Sequence, residues 1–381
     1  MSKIKKLQNK ASIRFFDQVT SAFNNYLIII PSLLMRDFQT VAKISLILSI
    51  YTFWLGLVRV SIINEVLDSR NTATSYLVHL KKMMRISVPI PIFFPIYQLL
   101  GLSKEISIYV VLITIFGLQE ELTRQFFLGI EKFLYAFFVD LTWLLISATI
   151  LFRSEDRIEN SLKAWFYGCI GSLIIAAILI STKNKKLKDK HLSKKIDHLA
   201  VGIPILLSLF TVSQNILLDF NRDGIFLGQL RSIQLFFLPA IFLINVQQSI
   251  YVPLISSNNF DKIKKVRIKI DIFSFILIVT GIITSVLYLD IDKITPQLAT
   301  VLFLVAFSVG LNSKITFISI SLIVTENVKY LTKSRFIWFT ISLLVMCIFV
   351  KSPLLALVNL TIVDLFLLLY LQKNKLNQWL K

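Results

Sequence analysis

The chain has 381 residues, of which 55% are hydrophobic and 17% charged, and its formal net charge is +19. Long apolar runs separated by short polar stretches are typical of a multi-pass membrane protein and leave no room for a large soluble domain. We attribute the positive charge to membrane topology and to contact with anionic lipid headgroups, so it gives no support for nucleic-acid binding.

Twelve apolar runs are long enough to cross about 30 Å of hydrocarbon, which takes about 20 helical residues. They lie near 18–35, 41–64, 83–101, 105–123, 132–152, 161–181, 199–218, 228–255, 269–289, 297–325, 336–350 and 353–371. The basic stretch 182–198 divides them into two sets of six. The sequence therefore predicts an all-α integral membrane protein with two six-helix lobes around a central cavity. The lobes would be residues 1–181 and 199–381, joined by a cytoplasmic linker.

Lysine and arginine crowd every second gap between these runs. Of the 41 basic residues, 29 fall on one side by this alternation and 9 on the other, which leaves three inside the runs. Short loops rich in lysine and arginine face the cytoplasm. We therefore expect a bacterial cytoplasmic (inner) membrane protein with both termini in the cytoplasm.

Prolines interrupt apolar runs in both halves of the chain. A proline within a membrane helix removes a backbone donor and bends the helix, which is tolerated where neighbouring groups or cavity water satisfy the exposed carbonyl. We expect several of them to mark bends in a moving, cavity-lined protein. They are Pro31, Pro89, Pro91, Pro95, Pro204, Pro239 and Pro253.

The sequence lacks the residues that several kinds of functional site require. Cys169 and Cys347 are the chain's two cysteines and both lie in apolar runs, which excludes a disulfide framework and a cysteine metal site. The three histidines lack ligand spacing, and the sequence contains no Walker-type phosphate loop. We expect no cofactor and no metal, and a transporter rather than an enzyme.

The three basic residues inside the runs are the candidate substrate contacts. They are Arg59, Arg231 and Lys314, and Arg14 at the start of the first run is a further candidate. A charge at mid-helix costs roughly 2.5–3.5 kcal/mol on insertion scales. Arg59 and Arg231 could instead extend to the interface, Arg14 could be interfacial, and the run around Lys314 could break near Gly310. Deep cations would suit an anionic ligand such as a diphosphate.

Deep acidic residues are sparser in the apolar runs. Asp140 lies about two turns into its run and Asp364 is comparable, and each would need a partner or a proton. We weigh structural pairing above proton coupling for both, and Asp140 is the candidate for coupling to H⁺ or Na⁺. Glu120 and Arg124, four residues apart near the cytoplasmic end of a helix, would form an ion pair.

Three segments carry a family resemblance. The first contains Asp17-Gln18, Ser21, Asn24-Asn25, Arg36 and Phe38. The second contains Gln119-Glu120, Arg124, Phe126-Phe127, Asp140 and Trp143. The third contains Leu230-Arg231, Pro239, Gln247-Gln248 and Pro253. Together they resemble the Wzx-like polysaccharide translocases of the multidrug/oligosaccharidyl-lipid/polysaccharide (MOP) flippase superfamily, although Asn25-Tyr26 and Phe38-Gln39 stand where those proteins often have Asn-Phe and Phe-Gly.

The resemblance implies two six-helix lobes and alternating access. The expected function is a flippase that moves undecaprenyl-diphosphate-linked oligosaccharide across the membrane for O-antigen, lipopolysaccharide, capsule or a similar surface polysaccharide. Partners would be this anionic lipid-linked substrate, membrane lipid, H⁺ or Na⁺, and other glycan-assembly membrane proteins. The alternatives are an ion-coupled drug or metabolite exporter of the MATE type and a membrane glycan polymerase. Short outward loops count against the polymerase.

Overall fold

A computed structural model describes residues 20, 24, 26–58, 73–130, 132–153, 158–181, 225–256, 260–289, 295–324, 328–349 and 351–379. These residues are helical almost throughout. Their α-helices, in chain order, are α1 Ile30–Leu34, α2 Phe38–Val58, α3 Ala73–Ser87, α4 Phe94–Leu99, α5 Lys104–Gly129, α6 Phe133–Arg153, α7 Ile158–Ser181, α8 Ile225–Phe236, α9 Leu238–Ser256, α10 Phe260–Leu289, α11 Pro296–Val324, α12 Val328–Ile348 and α13 Pro353–Trp379.

Eight helices in the described ranges are long and apolar enough to cross a membrane, and the bent pair α8–α9 raises this to nine if it forms one span. The eight are α2, α5, α6, α7, α10, α11, α12 and α13. The all-helical membrane fold class is thereby confirmed. The predicted run 199–218 and the first part of 18–35, apart from residues 20 and 24, lie outside the described residues.

The chain divides into two compact units, Met1–Asp197 and His198–Lys381. Each unit ends in three consecutive helices that pack in the same way. In the first unit α7 packs against both α5 and α6, and in the second α13 packs against both α11 and α12. The same helix adjacency therefore recurs in the two units. The predicted linker 182–198 lies outside the described residues.

Helices α6 and α7 approach closely because small residues line their contact. The Ser147 hydroxyl donates to the Ala164 carbonyl oxygen at 2.9 Å, and a Cβ added at Gly168 would collide with the same hydroxyl. Beside it, the indole N–H of Trp143 points at the Cys169 sulfur at 3.3 Å. Both cross-helix contacts are buried and hold the pair in one register.

The predicted helix over 83–101 is wrong as a single span. The segment is instead broken into α3, a 3₁₀ turn at Ile90–Phe93 and the short α4. Pro89, Pro91 and Pro95 account for the breaks, because each lacks the backbone donor that would continue the helix. The segment ends at Gly101, whose positive φ of 79° closes the turn into α5.

Pro239 coincides with a sharp bend, as expected of a proline within an apolar run. Helices α8 and α9 meet at Phe237 with an angle of 67°. The helix α10 packs against this bend through Gly281, where an added Cβ would lie 3.0 Å from the Phe236 carbonyl oxygen and 2.9 Å from the Phe237 ring. Only a glycine permits this approach without displacing the backbone.

Two helix ends correct the charge assignment. Helix α5 continues to Gly129, beyond the predicted end at 123, and α12 begins at Val328 rather than near 336. Arg124 and Arg335, which the alternation counted among the loop or interface residues of the basic side, therefore lie inside helices, and both are buried. Polar partners from neighbouring helices explain why these turns extend into polar sequence.

Candidate functional site

A buried charge cluster joins α5 to α6 in the first unit. The Arg124 guanidinium forms an ion pair with Glu121, one turn earlier on α5, at 3.0 Å. Its Nε lies 2.9 Å from Oδ2 of Asp140 on α6. Glu120 is also buried in this turn of α5. A buried guanidinium between two carboxylates fixes the relative position of the two helices, since separating them would leave charges unpaired.

Neighbouring side chains donate hydrogen bonds to the acidic residues of the cluster. The Gln125 amide donates to Oε1 of Glu121 at 2.8 Å, and the Asn24 amide donates to the backbone carbonyl of Asp140 at 3.1 Å. On the same turn of α5, the hydroxyls of Thr123 and Tyr76 are 2.9 Å apart. Residues from the start of the chain, α3, α5 and α6 therefore meet around this cluster.

The cluster changes the expected balance of charge. The carboxylates of Glu121 and Asp140 contact one guanidinium, and Glu120 is also buried on the same turn of α5, so this part of the first unit buries more acidic than basic side chains. Helix α5 buries two glutamates that the sequence placed at a cytoplasmic helix end. Within the described ranges, no three His, Cys, Asp or Glu side chains are grouped to hold a metal ion.

A second buried polar group connects α11, α12 and α13 in the other unit. Arg335 on α12 donates to the Ser319 hydroxyl at 3.2 Å, and the Trp338 indole donates to Oδ1 of Asp364 on α13 at 2.7 Å. Asp364 thus has the structural partner that the sequence analysis favoured. This partner is the Trp338 indole. The basic residue nearby is Arg335, which the alternation counted among the loop or interface residues.

Arg231 lies in α8, where it is half-buried and donates from Nη1 to the Gln234 side chain at 2.6 Å. Both residues are on the same helix, one turn apart. This contact orients the guanidinium just before the bend at Phe237. Helix α8 packs against α10 and α11, so Arg231 belongs to the same unit as Lys314.

Lys314 is exposed on α11, a helix of 29 residues that runs unbroken through Gly310. The alternative of a helix break near Gly310 is therefore wrong. Phe303 and Phe307, also exposed, lie on the same face and stack with ring centroids 6.1 Å apart and an angle of 8° between their planes. Residues 303, 307, 310 and 314 are spaced by four, three and four positions, so they form one stripe along a face of α11. Phe303 and Phe307 are its aromatic part and Lys314 is its cationic part.

Arg14 and Arg59 lie outside the described residues, so their placement stays a prediction. Of the other predicted site residues, Asp140 belongs to the first unit, and Arg231 and Lys314 belong to the second. Sequence reasoning missed the burial of Glu121 and Arg335. The Gln-Glu-Glu-Leu-Thr-Arg run was the available signal for Glu121, since it continues the helical pattern of the preceding apolar residues.

Solved transporter structures share this architecture over nearly the whole chain. An outward-facing multidrug resistance MATE family transporter of the MOP superfamily is 13% identical with a TM-score of 0.57, and the alignment covers 96% of this chain and 90% of that one. An inward-facing structure is 9% identical with a TM-score of 0.57, covering 97% and 93%. A MATE protein in complex with MaD3S is 12% identical with a TM-score of 0.58, covering 96% and 92%.

This chain has the MATE fold. No family profile matches the sequence, and no curated protein matches it. The likeness therefore lies in the arrangement of helices rather than in the sequence. The MATE fold confirms the predicted MATE/MOP-like fold class.

Proposed function

We propose that this protein is a membrane transporter that works by alternating access and carries an anionic, lipid-linked oligosaccharide. The observation that carries the proposal is Lys314, an exposed cation well inside an apolar helix of a chain with the MATE fold. Lys314 is eight residues, or about 12 Å at 1.5 Å per residue, from the end of the apolar span at Leu322.

The position of Lys314 favours a hydrated path. An exposed lysine in a membrane helix contacts either lipid or water, and contact with the hydrocarbon centre costs roughly 2.5–3.5 kcal/mol on insertion scales. Water and a phosphate partner remove this cost. Arg231, whose guanidinium is held by Gln234 in the same unit, adds a second cation suited to phosphate oxygens.

The stripe on α11 suits a substrate that has both an anionic group and sugar rings. Lys314 would contact the diphosphate, while the stacked Phe303 and Phe307 offer flat apolar faces to sugar rings. The polyprenyl tail would stay in the bilayer, because only the sugar and diphosphate need a polar route. This is the chemistry of an undecaprenyl-diphosphate-linked oligosaccharide flippase serving O-antigen, capsule or a similar glycan in the bacterial inner membrane, with both termini cytoplasmic and other glycan-assembly proteins as partners.

The carboxylate cluster of the first unit is the proposed coupling site. Asp140 and Glu121 both contact Arg124, and Glu120 is buried on the same turn of α5. Two buried carboxylates that share one guanidinium favour uptake of a proton by one of them. Binding and release of H⁺ would then strengthen and weaken the contact between α5 and α6 during transport. Na⁺ is the alternative ion.

A second candidate function is export of a drug or metabolite cation. The buried acid excess around Asp140 favours it, because organic cations bind to acidic centres with aromatic walls. Phe126 and Phe127 form an aromatic pair in the helical turn after Arg124. The exposed Lys314 and the half-buried Arg231 in the other unit disfavour such a substrate and make the anionic one our first choice.

A deletion strain separates the two functions. If the protein is the flippase, lipid-linked oligosaccharide accumulates in the inner leaflet of the deletion strain, and the wild-type chain restores export. Lys314→Gln should restore it poorly. Lys269→Gln, which removes an exposed lysine from α10, should restore it fully. Normal glycan export together with lost efflux of cationic dyes would favour the exporter and reject the flippase.

A further inference from the structure

A groove of about 240 Å³ runs between α12 and α13 in the second unit. Its walls are Ile337 and Ile341 on α12 and Phe366 and Tyr370 on α13, all more than a third exposed. Trp338 lies in its floor, with its indole N–H directed to the Asp364 carboxylate. The groove therefore presents an almost wholly apolar surface on two helices that are both apolar enough to span the membrane.

Basic residues lie just beyond one end of the groove in the sequences of α12 and α13. At that end Tyr330 and Tyr370 stack at 5.4 Å, and the Tyr330 hydroxyl donates to the Tyr370 carbonyl oxygen at 3.2 Å. These contacts bring together the start of α12 and the last part of α13. Lys329 and Lys333 flank Tyr330, and Lys373 follows Tyr370 by one turn, and all three lysines are exposed.

No acid competes for these lysines on the two helices. Asp364 is the single acidic residue in the sequences of α12 and α13, and its carboxylate accepts the Trp338 hydrogen bond beside Arg335. It is also nine residues, or about 13 Å along the helix, from Lys373. Within α12 and α13 the three exposed lysines therefore have no acidic residue in reach, which favours an anion from outside the chain as their partner.

The groove and its basic end together match the depth of one leaflet. On α12 the groove lining extends from Ser334 to Ile341, a rise of about 10 Å, and Tyr330 at the basic end lies one turn before Ser334. From Tyr330 to Ile341, α12 therefore rises by about 16 Å, which is close to half of the ~30 Å hydrocarbon thickness. An occupant with a charged group at the lysines and a chain along the groove would thus reach from the headgroup level to about the middle of the bilayer. Glycerophospholipids have this shape.

We propose that the groove between α12 and α13 is a binding site for one anionic glycerophospholipid. Its phosphate contacts Lys329, Lys333 and Lys373, and one acyl chain lies against Ile337 and Phe366. The charge complementarity at one end distinguishes this groove from a larger cavity of about 390 Å³ beside Pro91 and Pro95. Apolar residues alone line that cavity in the first unit, so it lacks a group that would select a lipid.

Native mass spectrometry of the purified full-length chain tests the proposal. The protein is titrated in detergent with phosphatidylglycerol or with phosphatidylcholine of the same acyl chains. Phosphatidylglycerol should give one tightly retained adduct per chain. The affinity for phosphatidylcholine should be lower by a factor of about ten or more, since the lysines attract anionic headgroups. Lys329→Gln/Lys333→Gln/Lys373→Gln should lose the adduct.

A matched control removes the same charge elsewhere in the unit. Lys264→Gln/Lys265→Gln/Lys269→Gln changes three exposed lysines of α10 and should keep the adduct. Ile341→Trp keeps all the lysines but fills the groove, and it should weaken binding of phosphatidylglycerol without affecting glycerol phosphate, which has no acyl chain. Equal retention of both lipids, equal losses in the two lysine variants, or displacement of phosphatidylglycerol by an equimolar polyprenyl phosphate would overturn the proposal.

Discussion

The Nε of Arg124 lies 2.9 Å from Oδ2 of Asp140, and both side chains are almost completely buried. The contact joins α5 to α6, and the Glu121 carboxylate holds the other side of the same guanidinium. Buried pairs of this kind add little net stability compared with apolar residues, but removing one partner leaves the other charge unpaired. This asymmetry makes the role of the cluster measurable.

Arg124→Leu should destabilise the protein by about 3–5 kcal/mol, because the carboxylates of Glu121 and Asp140 would remain buried without their cation. Thermal unfolding in detergent measures the change. The double variant Arg124→Leu/Asp140→Leu should recover part of the loss, since it removes one of the stranded charges. A single variant as stable as the wild type would contradict the buried network.

Asp140→Asn should abolish the response of transport to an imposed proton gradient, because an amide keeps the shape of the carboxyl group but cannot exchange a proton. Substrate counterflow without a gradient should persist. Reconstituted vesicles with a pH step provide the measurement. Asp271→Asn is the control, since Asp271 forms an exposed pair with Arg267 at 3.7 Å. An unchanged gradient response in Asp140→Asn would remove this carboxyl from the coupling mechanism.

Lys314→Gln should lower the rate of transport about tenfold to a hundredfold, the loss expected when a hydrogen bond to a charged group worth roughly 1.5–3 kcal/mol is removed. Lys314→Arg should retain most of the rate, since both side chains pair with phosphate. Initial rates in vesicles test this, with expression and unfolding temperature measured in parallel. Equal rates for the wild type and Lys314→Gln would show that the substrate does not use this cation.

Gly281→Ala should destabilise the protein by roughly 1–3 kcal/mol, because its new methyl group would press on the backbone at the bend between α8 and α9. Gly310→Ala is the matched substitution. There the nearest atom, Cδ1 of Ile278, is 3.9 Å from the added Cβ, and the better helix propensity of alanine could stabilise by up to about 1 kcal/mol. Unfolding temperatures that shift equally would disprove the close approach.

Trp338→Phe should lower the free energy of unfolding by more than Trp54→Phe does. The first removes a 2.7 Å hydrogen bond to the Asp364 carboxylate, worth about 1.5–3 kcal/mol, and the second a 3.3 Å bond to the Tyr97 hydroxyl, worth about 0.5–1.5 kcal/mol. Both indoles are buried, so similar packing is lost in the two variants. Comparing their unfolding temperatures isolates the polar contribution. The reverse order would indicate that Asp364 does not need this donor.

The fold was largely predictable because the length and apolarity of a run decide whether it spans a membrane. Runs such as 132–152 and 353–371 match α6 and the apolar part of α13. The failure at 83–101 came from treating three prolines as bends within one helix, although each also removes a backbone donor. Three such losses within seven residues exceed what one helix can accommodate.

The candidate site was only partly predictable. Asp140 and Lys314 stand out in the sequence because each lies well inside a long apolar run. Glu121, Arg124 and Arg335 do not, since charged residues near a predicted helix end look the same whether water or another helix covers them. Their burial depends on which helices pack together, and that information is tertiary.

The packing of α6 on α7 also supplies a natural reporter of unfolding. The chain has two cysteines, of which Cys169 is enclosed beside Trp143 and Cys347 is exposed near the end of α12. A maleimide should therefore label the folded protein once and the unfolded protein twice. The stoichiometry of labelling counts the molecules in which α6 and α7 have separated, in detergent or in vesicles, without any engineered residue.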